Sequence, residues 1–118
     1  MKGLKISSLF GIAMLSLAVL FSACNNKPKG TAGNFVGEFV TAFGDRFVLN
    51  EDHSAEIQLD KQDSIFKTFW DDGPAHDRAY ATIAFNANPA YFFVRDGQLY
   101  YHKIDMEHGK DGVKIQYK

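Results

Sequence analysis

The stretch that decides the fold is AYFFVRDGQLYYHKID, residues 90–105. Two segments rich in aromatic residues, which are typical of β-strands, flank the dipeptide Asp96-Gly97. Asp-Gly is a preferred pair for the two-residue type I′ turn, because both turn positions need a positive φ. The sequence therefore predicts a β-hairpin around Asp96 and Gly97.

The hairpin carries aromatic side chains on both faces, and successive side chains of a strand point to opposite sides of a sheet. One interpretation is that these residues pack in the core, because a small sheet needs large apolar side chains. The other is that some stay exposed and contact a ligand or a partner, as Tyr and Trp often do. The surface predicted on this basis consists of Trp70, Tyr91, Phe93, Tyr100 and Tyr101.

Segments on both sides of the hairpin alternate between apolar and polar residues, as half-buried strands do. The clearest is AEIQLD, residues 55–60, in which Ala, Ile and Leu alternate with polar residues. Upstream, NFVGEFVTAF (34–43) places Phe35, Phe39 and Phe43 on one face. Further strands are predicted in RFVL (46–49), SIFKTFW (64–70), RAYATIAFN (78–86) and GVKIQYK (112–118).

Together these segments give about eight short strands joined by local turns, which predicts an antiparallel meander. The predicted fold class is all-β, with the strands forming a small barrel, half-barrel or sandwich in one domain, residues 34–118. A barrel or half-barrel is favoured, because closure removes the exposed strand edges that cause aggregation.

The first 23 residues have the pattern of a helical signal peptide. Lys2 and Lys5 precede an apolar run from Leu9 to Phe21, and two small residues follow it. A cationic start, an apolar core and a small-residue cleavage site are the three parts of a secretory signal. The run is too short to span a bilayer, which takes about 20 residues.

Cys24, the single cysteine of the chain, comes directly after those two small residues. The sequence FSAC (21–24) resembles a bacterial lipobox, although the family prefers Leu where this chain has Phe21. The resemblance implies that Cys24 is the first mature residue, acylated with palmitate-type chains and anchored in a membrane. Residues 24–33, which contain Pro28 and two glycines, are then predicted to be a flexible tether.

The domain that follows resembles the small all-β lipoproteins of Gram-negative envelopes, in the style of the NlpE N-terminal domain. The motifs are the opening strand FVGEF (35–39), the aromatic segment IFKTFWDDG (65–73) and the hairpin VRDGQLYY (94–101). NlpE-type sequences carry a CxxC motif, which this chain lacks, so the resemblance implies the layout and no metal or redox sensing.

Composition excludes some functional classes. Of 13 Lys and Arg residues, Lys2 and Lys5 belong to the leader, which leaves 11 against 14 Asp and Glu. A nucleic-acid-binding protein would show a concentrated basic face, and none is evident. No nucleophile motif or phosphate-binding glycine loop is present, so no catalytic residue and no cofactor is predicted.

Four histidines raise the question of a metal site. The segment HKIDMEH (102–108) holds two of them, with Asp105 and Glu107 between them. A tight cluster of His102, His108 and Asp105 would indicate a site, but no HxH or HExxH pattern supports one, so no metal ligand is predicted. His53 and His76 are interpreted as loop residues, and Asp71 and Asp72 as turn residues before Gly73-Pro74.

The expected function is that of a membrane-anchored, non-catalytic envelope lipoprotein that binds a small apolar ligand or an envelope partner. The alternative is an accessory subunit that docks through the aromatic hairpin and has no ligand cavity. Asn25 and Asn26 follow Cys24. An Asp directly after the cysteine would resemble an inner-membrane retention signal, and this chain has none there. The resemblance therefore favours the outer membrane, on its periplasmic side.

Overall fold

The computed structural model describes residues 27–110 and 112–118, and it confirms the all-β fold class. The predicted signal peptide and Cys24 lie outside the described residues. Within them, no helix is both long enough and apolar enough to cross a membrane. The described residues form the strands β1 Gly37–Thr41, β2 Arg46–Leu49, β3 Ser54–Gln58, β4 Phe66–Asp71, β5 Ala81–Ala84, β6 Tyr91–Arg95, β7 Gln98–Tyr100 and β8 Val113–Tyr117, together with a short helix, α1, at Lys103–Glu107.

The eight strands form a closed barrel in which each strand pairs antiparallel with its neighbours in sequence. The last strand returns to the first, with Phe39 opposite Tyr117 and Thr41 opposite Ile115. The barrel is thus one of the three architectures that the sequence left open. Its closure gives β1 and β8 a partner on both sides.

Because the strands alternate in direction, their connections divide between two ends of the barrel. We call one the N-terminal end, because the first described residues pack there; the opposite one is the far end. The N-terminal end carries residues 27–36, 50–53, 72–80 and 96–97, and the far end carries 42–45, 59–65, 85–90 and 101–110.

Alternate residues of each strand point into the barrel, as the pleat of a strand requires. In β3, Ala55 and Ile57 are buried between half-buried neighbours, which confirms the predicted alternation. Aromatic rings contact one another across the interior. The Phe47 ring lies 5.1 Å from both the Phe39 and the Phe92 rings, and Phe92 lies 5.0 Å from Phe85.

The structure confirms the turn of the predicted hairpin and shortens its second strand. Asp96 and Gly97 have φ values of 51° and 78°, as a type I′ turn needs. The second strand ends at Tyr100, and α1 follows almost at once. Residues 103–105, at the end of the stretch that predicts the hairpin, belong to α1 instead, and Met106 is the buried residue of this helix.

The segment predicted as a tether is attached to the barrel from Lys27 onward. Gly30 accepts a hydrogen bond of 3.1 Å from the Gly97 backbone N–H, and the Lys29 ammonium donates to the Val36 carbonyl at 2.7 Å. Gly30 has a φ of +85°, and an added Cβ would lie only 3.0 Å from the Gly97 Cα. Gly30, which lies in the predicted flexible tether, is therefore a point of close backbone contact.

The β4 and β5 strands are paired over only part of their length. On its β5 side, β4 pairs at Trp70 and Asp71 alone, opposite Ile83 and Thr82. The strands then diverge, because the chain after Ala84 turns toward β6. This β4–β5 seam opens the barrel wall toward the far end.

Candidate functional site

The predicted aromatic surface is only partly exposed, which corrects the expectation for two of its residues. Trp70 and Tyr100 keep 3% and 5% of their surface exposed, so neither offers a free face. Phe93 and Tyr101 are half-buried, and the Tyr101 ring contacts Phe92 in the core at 5.5 Å. Tyr91 is exposed, at 51%.

Both burials have a local cause. The indole N–H of Trp70 donates to the Asn50 carbonyl at 2.8 Å, which places the ring under the β2–β3 turn. Tyr100 is covered by the chain that leads into β8, where an added Cβ on Gly112 would lie 2.8 Å from the Tyr100 Cζ. Strand alternation alone cannot show that a later segment covers an outward-facing ring.

The β4–β5 seam holds a cleft with a volume of about 620 Å³. Phe66 and Phe69 line its β4 side, and Ala84, Ala90 and Tyr91 line the opposite side. Phe69 and Tyr91 stand at its lips, with 66% and 51% of their surfaces exposed. We call this feature the seam cleft.

A second cavity of about 340 Å³ adjoins the seam cleft, and the two share Phe66 and Asn86 in their walls. Ile57, Leu59, Ile65 and Phe85 also line it. Apolar surface thus continues from the seam toward the far end of the barrel. Lys67, Thr68 and Asn86 supply polar groups at the seam cleft itself.

Three further side chains meet at the N-terminal end. His76 Nδ1 lies 2.9 Å from Asp72 Oδ1, and His53 Nε2 lies 3.5 Å from the same oxygen. The two histidine nitrogens are 3.4 Å apart. Asp72 is buried, His53 is half-buried and His76 is exposed. We call these three residues the His–Asp cluster; in the described part of the chain, it is the group that could hold a metal ion.

Two neighbouring turns place the cluster. Pairing of β3 with β4 sets Ser54 opposite Phe69, which brings the β2–β3 turn beside the end of β4. The Trp70 backbone N–H then donates to the His53 carbonyl at 2.9 Å. In the β4–β5 loop, the His76 backbone N–H donates to the Gly73 carbonyl at 3.1 Å, which folds His76 back over Asp72.

The cluster is not among the sites predicted from the sequence. Asp72 is predicted as a turn residue, and the sequence groups His102 with His108, whereas the structure places these two exposed histidines on either side of α1, outside the cluster. One signal was available: Asp72 and His76 are four residues apart in a tight loop. Adding His53 needs the β3–β4 register, which no local motif encodes.

Comparison with family models, with curated proteins and with solved structures finds no match for this chain.

Proposed function

We propose that this chain is a lipid-anchored, non-catalytic envelope protein that binds a small apolar ligand in the seam cleft. The observation that carries the proposal is the cleft itself, an opening of about 620 Å³ with aromatic residues at both lips. Ligand pockets commonly measure about 300–1,000 Å³ and have mostly apolar walls with a few polar groups. The residues of this cleft fit that description.

The ligand is placed in the seam because aromatic rings occupy the barrel axis. Phe39, Phe47, Phe92 and Phe85 form a continuous series of ring contacts of 5.0–5.1 Å. A molecule at the axis would have to displace them, at a cost of several kcal/mol per buried aromatic side chain. At the seam, the strands are already apart, and exposed apolar surface of Phe69 and Tyr91 would be removed from water on binding.

The proposed anchor is Cys24, three residues before the described chain begins. Lys27 and the residues after it pack at the N-terminal end, so an acyl chain on Cys24 would hold that end toward the membrane. The seam cleft opens toward the far end and would stay accessible from the aqueous side. We propose the outer membrane, on its periplasmic side, as the location.

Photo-crosslinking in cells tests the ligand. A photoreactive phenylalanine replaces Phe69 in the full chain, and a matched variant carries it in place of Phe43, which is 61% exposed in the β1–β2 turn, outside the cleft. We expect irradiation to add a small apolar mass at position 69 and none at position 43. Equal labelling at both positions, or no adduct at position 69, would contradict the proposal.

The same experiment distinguishes the alternative, docking on an envelope protein. The exposed rings of Phe69 and Tyr91 favour this second candidate, because exposed aromatic residues are common at interfaces. It predicts a protein-sized adduct at position 69. That outcome would replace the ligand proposal with the partner.

The anchor has a separate test. Cys24→Ser should leave the protein outside the membrane fraction and without labelled palmitate, because serine offers no thiol for acylation. A variant that still takes up palmitate and still sediments with membranes would show that Cys24 is not the attachment point.

A further inference from the structure

We propose that the His–Asp cluster is a binding site for a divalent transition-metal ion of the zinc type, held by His53 Nε2, Asp72 Oδ1 and His76 Nδ1. The inference goes beyond the apolar ligand and rests on different residues at the N-terminal end. The three atoms already lie within 3.5 Å of one another.

The spacing of the three atoms fits one ion. Two ligand atoms about 2.0–2.1 Å from a tetrahedral zinc are about 3.3 Å apart. The three separations in the cluster are 2.9, 3.4 and 3.5 Å. A circle through the three atoms has a radius of about 1.9 Å, so an ion at zinc-like bond lengths can contact all three with little movement.

The donor types select the class of ion. Two imidazole nitrogens and one carboxylate suit zinc and its neighbours in the first transition row, whereas Mg²⁺ and Ca²⁺ prefer sets of oxygen ligands. Nitrogen donors from His53 and His76 outnumber the single carboxylate of Asp72. The site should therefore discriminate strongly against the alkaline-earth ions.

Asp72 gives the site a buried carboxylate. Its side chain is only 4% exposed, and its close side-chain partners are the two imidazoles. A charge removed from water requires a partner of opposite sign. A divalent cation between the three groups would supply that charge and leave both histidines in the neutral form that coordinates metals.

The turns hold the ligands in place before binding. Backbone hydrogen bonds from Trp70 to the His53 carbonyl and from His76 to the Gly73 carbonyl fix both turns. The Trp70 ring also packs edge-on against the His53 ring at 4.9 Å. Little conformational freedom is then lost when an ion binds, which favours affinity.

The cluster leaves room for a further ligand. A cavity of about 270 Å³ adjoins Asp72 and His76, and Glu51 and Trp70 also line it. Three protein ligands beside an open space are typical of zinc sites that keep a position for water or another small molecule. A site closed for purely structural purposes would hold a fourth protein ligand instead.

Zinc titration of the purified full chain tests the site, with His76→Asn as the main variant. The His76 side chain is 57% exposed, so its loss leaves no cavity in the core. Asn also tolerates the positive φ of 55° at this position. His102→Asn and His108→Asn are matched controls, because both histidines are exposed and lie outside the cluster.

We expect the full chain to bind one Zn²⁺, and Mg²⁺ and Ca²⁺ not to compete. His76→Asn and Asp72→Asn should weaken zinc affinity by at least about 100-fold, the upper end of what losing an outer-shell partner alone costs. The two controls should retain the affinity of the unchanged chain. Because Asp72→Asn alters a buried group, the His76 variant decides the outcome should the Asp72 variant fail to fold.

Spectroscopy gives an independent readout. X-ray absorption of the zinc-loaded chain should show nitrogen and oxygen neighbours with imidazole signals. Co²⁺ should quench the fluorescence of Trp70, the single tryptophan, with the same saturation as in the binding titration. Absence of saturable zinc binding, or full affinity in His76→Asn, would show that the cluster is a histidine–carboxylate contact and overturn the proposal.

Discussion

Replacing Tyr117 with Phe should weaken the closure of the barrel by a defined amount. The Tyr117 hydroxyl donates to the Phe35 carbonyl at 2.9 Å, which ties the N-terminal segment to β8. The Tyr117 ring also packs against Phe39 at 5.1 Å, and Phe preserves that contact. Only the hydroxyl is lost, and a partly buried carbonyl loses its donor, so we expect the free energy of unfolding to fall by about 1–2 kcal/mol.

The pH dependence makes the expectation more specific. Burial raises the pKa of Tyr117 well above its usual value of 10.0. Above about pH 10, the usual pKa of a tyrosine, Tyr117 loses its phenol proton in the unfolded chain but keeps it in the folded chain. Stability then falls as the pH rises, by about 1.4 kcal/mol for each further unit. Tyr117→Phe lacks this group, so the stability difference of about 1–2 kcal/mol near pH 8 should disappear near pH 11.

Urea unfolding followed by circular dichroism, at about pH 8 and about pH 11, measures both effects. Tyr91→Phe is the matched control, because its ring is 51% exposed and its hydroxyl should contribute little to stability. All other titrating groups are common to the two proteins and cancel in the difference. Equal stability of Tyr117→Phe and the unchanged chain near pH 8, or a difference that stays constant up to pH 11, would refute the reasoning.

Three further predictions concern the same barrel and can be checked by urea unfolding. Gly37→Ala should destabilise it by roughly 1–3 kcal/mol, since φ is +139° and the new Cβ would lie 3.1 Å from the Tyr117 ring; unchanged stability would contradict the contact. Phe47→Ala should lower the free energy of unfolding by about 3–5 kcal/mol, because the Phe47 side chain is fully buried. A decrease below about 1 kcal/mol would mean that the interior collapses to fill the space left by the ring. Hydrogen bonding to Arg46 lowers the pKa of Glu38, so the ionised Glu38 stabilises the fold above its usual pKa of 4.5, and this stabilisation is lost as the pH falls below that value. Glu38→Gln should therefore reduce the fall in unfolding free energy at acid pH. An unaltered dependence of stability on pH would show that the Glu38–Arg46 pair contributes nothing.

The architecture was predictable because each strand has a local signature. The alternation of residues 55–60 and the Asp96-Gly97 turn both appear in the structure as expected. Closure was favoured only by the general argument that open strand edges cause aggregation, because the β1–β8 pair joins distant parts of the chain and has no local signature. Hydrophobic alternation and local turns fit an open sheet equally well.

The strand pattern also failed at one end of β1. Phe43 shares the parity of Phe35 and Phe39, yet it is 61% exposed. The cause is Thr41, whose hydroxyl accepts hydrogen bonds from the backbone N–H groups of Phe43 and Asp45, each at 3.2 Å. A side chain that caps a turn stops the strand before its hydrophobic period ends.

The His–Asp cluster could not be predicted from the sequence, for a different reason. His53 and Asp72 belong to different turns, and only the register of the β3–β4 hairpin brings them together. Burial of Asp72 likewise depends on packing around it, since an Asp before Gly-Pro usually indicates an exposed turn.

Closure by the first and last strands has a consequence for how the protein is made. While the ribosome is still adding residues, β1 has β2 beside it and nothing on its other side. Its edge stays open until β8, Val113–Tyr117, has been made and can pair with it. Open edges pair with other chains. Contacts between distant parts of a chain, such as the β1–β8 pair, also form slowly. The barrel therefore cannot close before β8 has been made, and a premature stop before β8 would leave chains prone to pairing with one another.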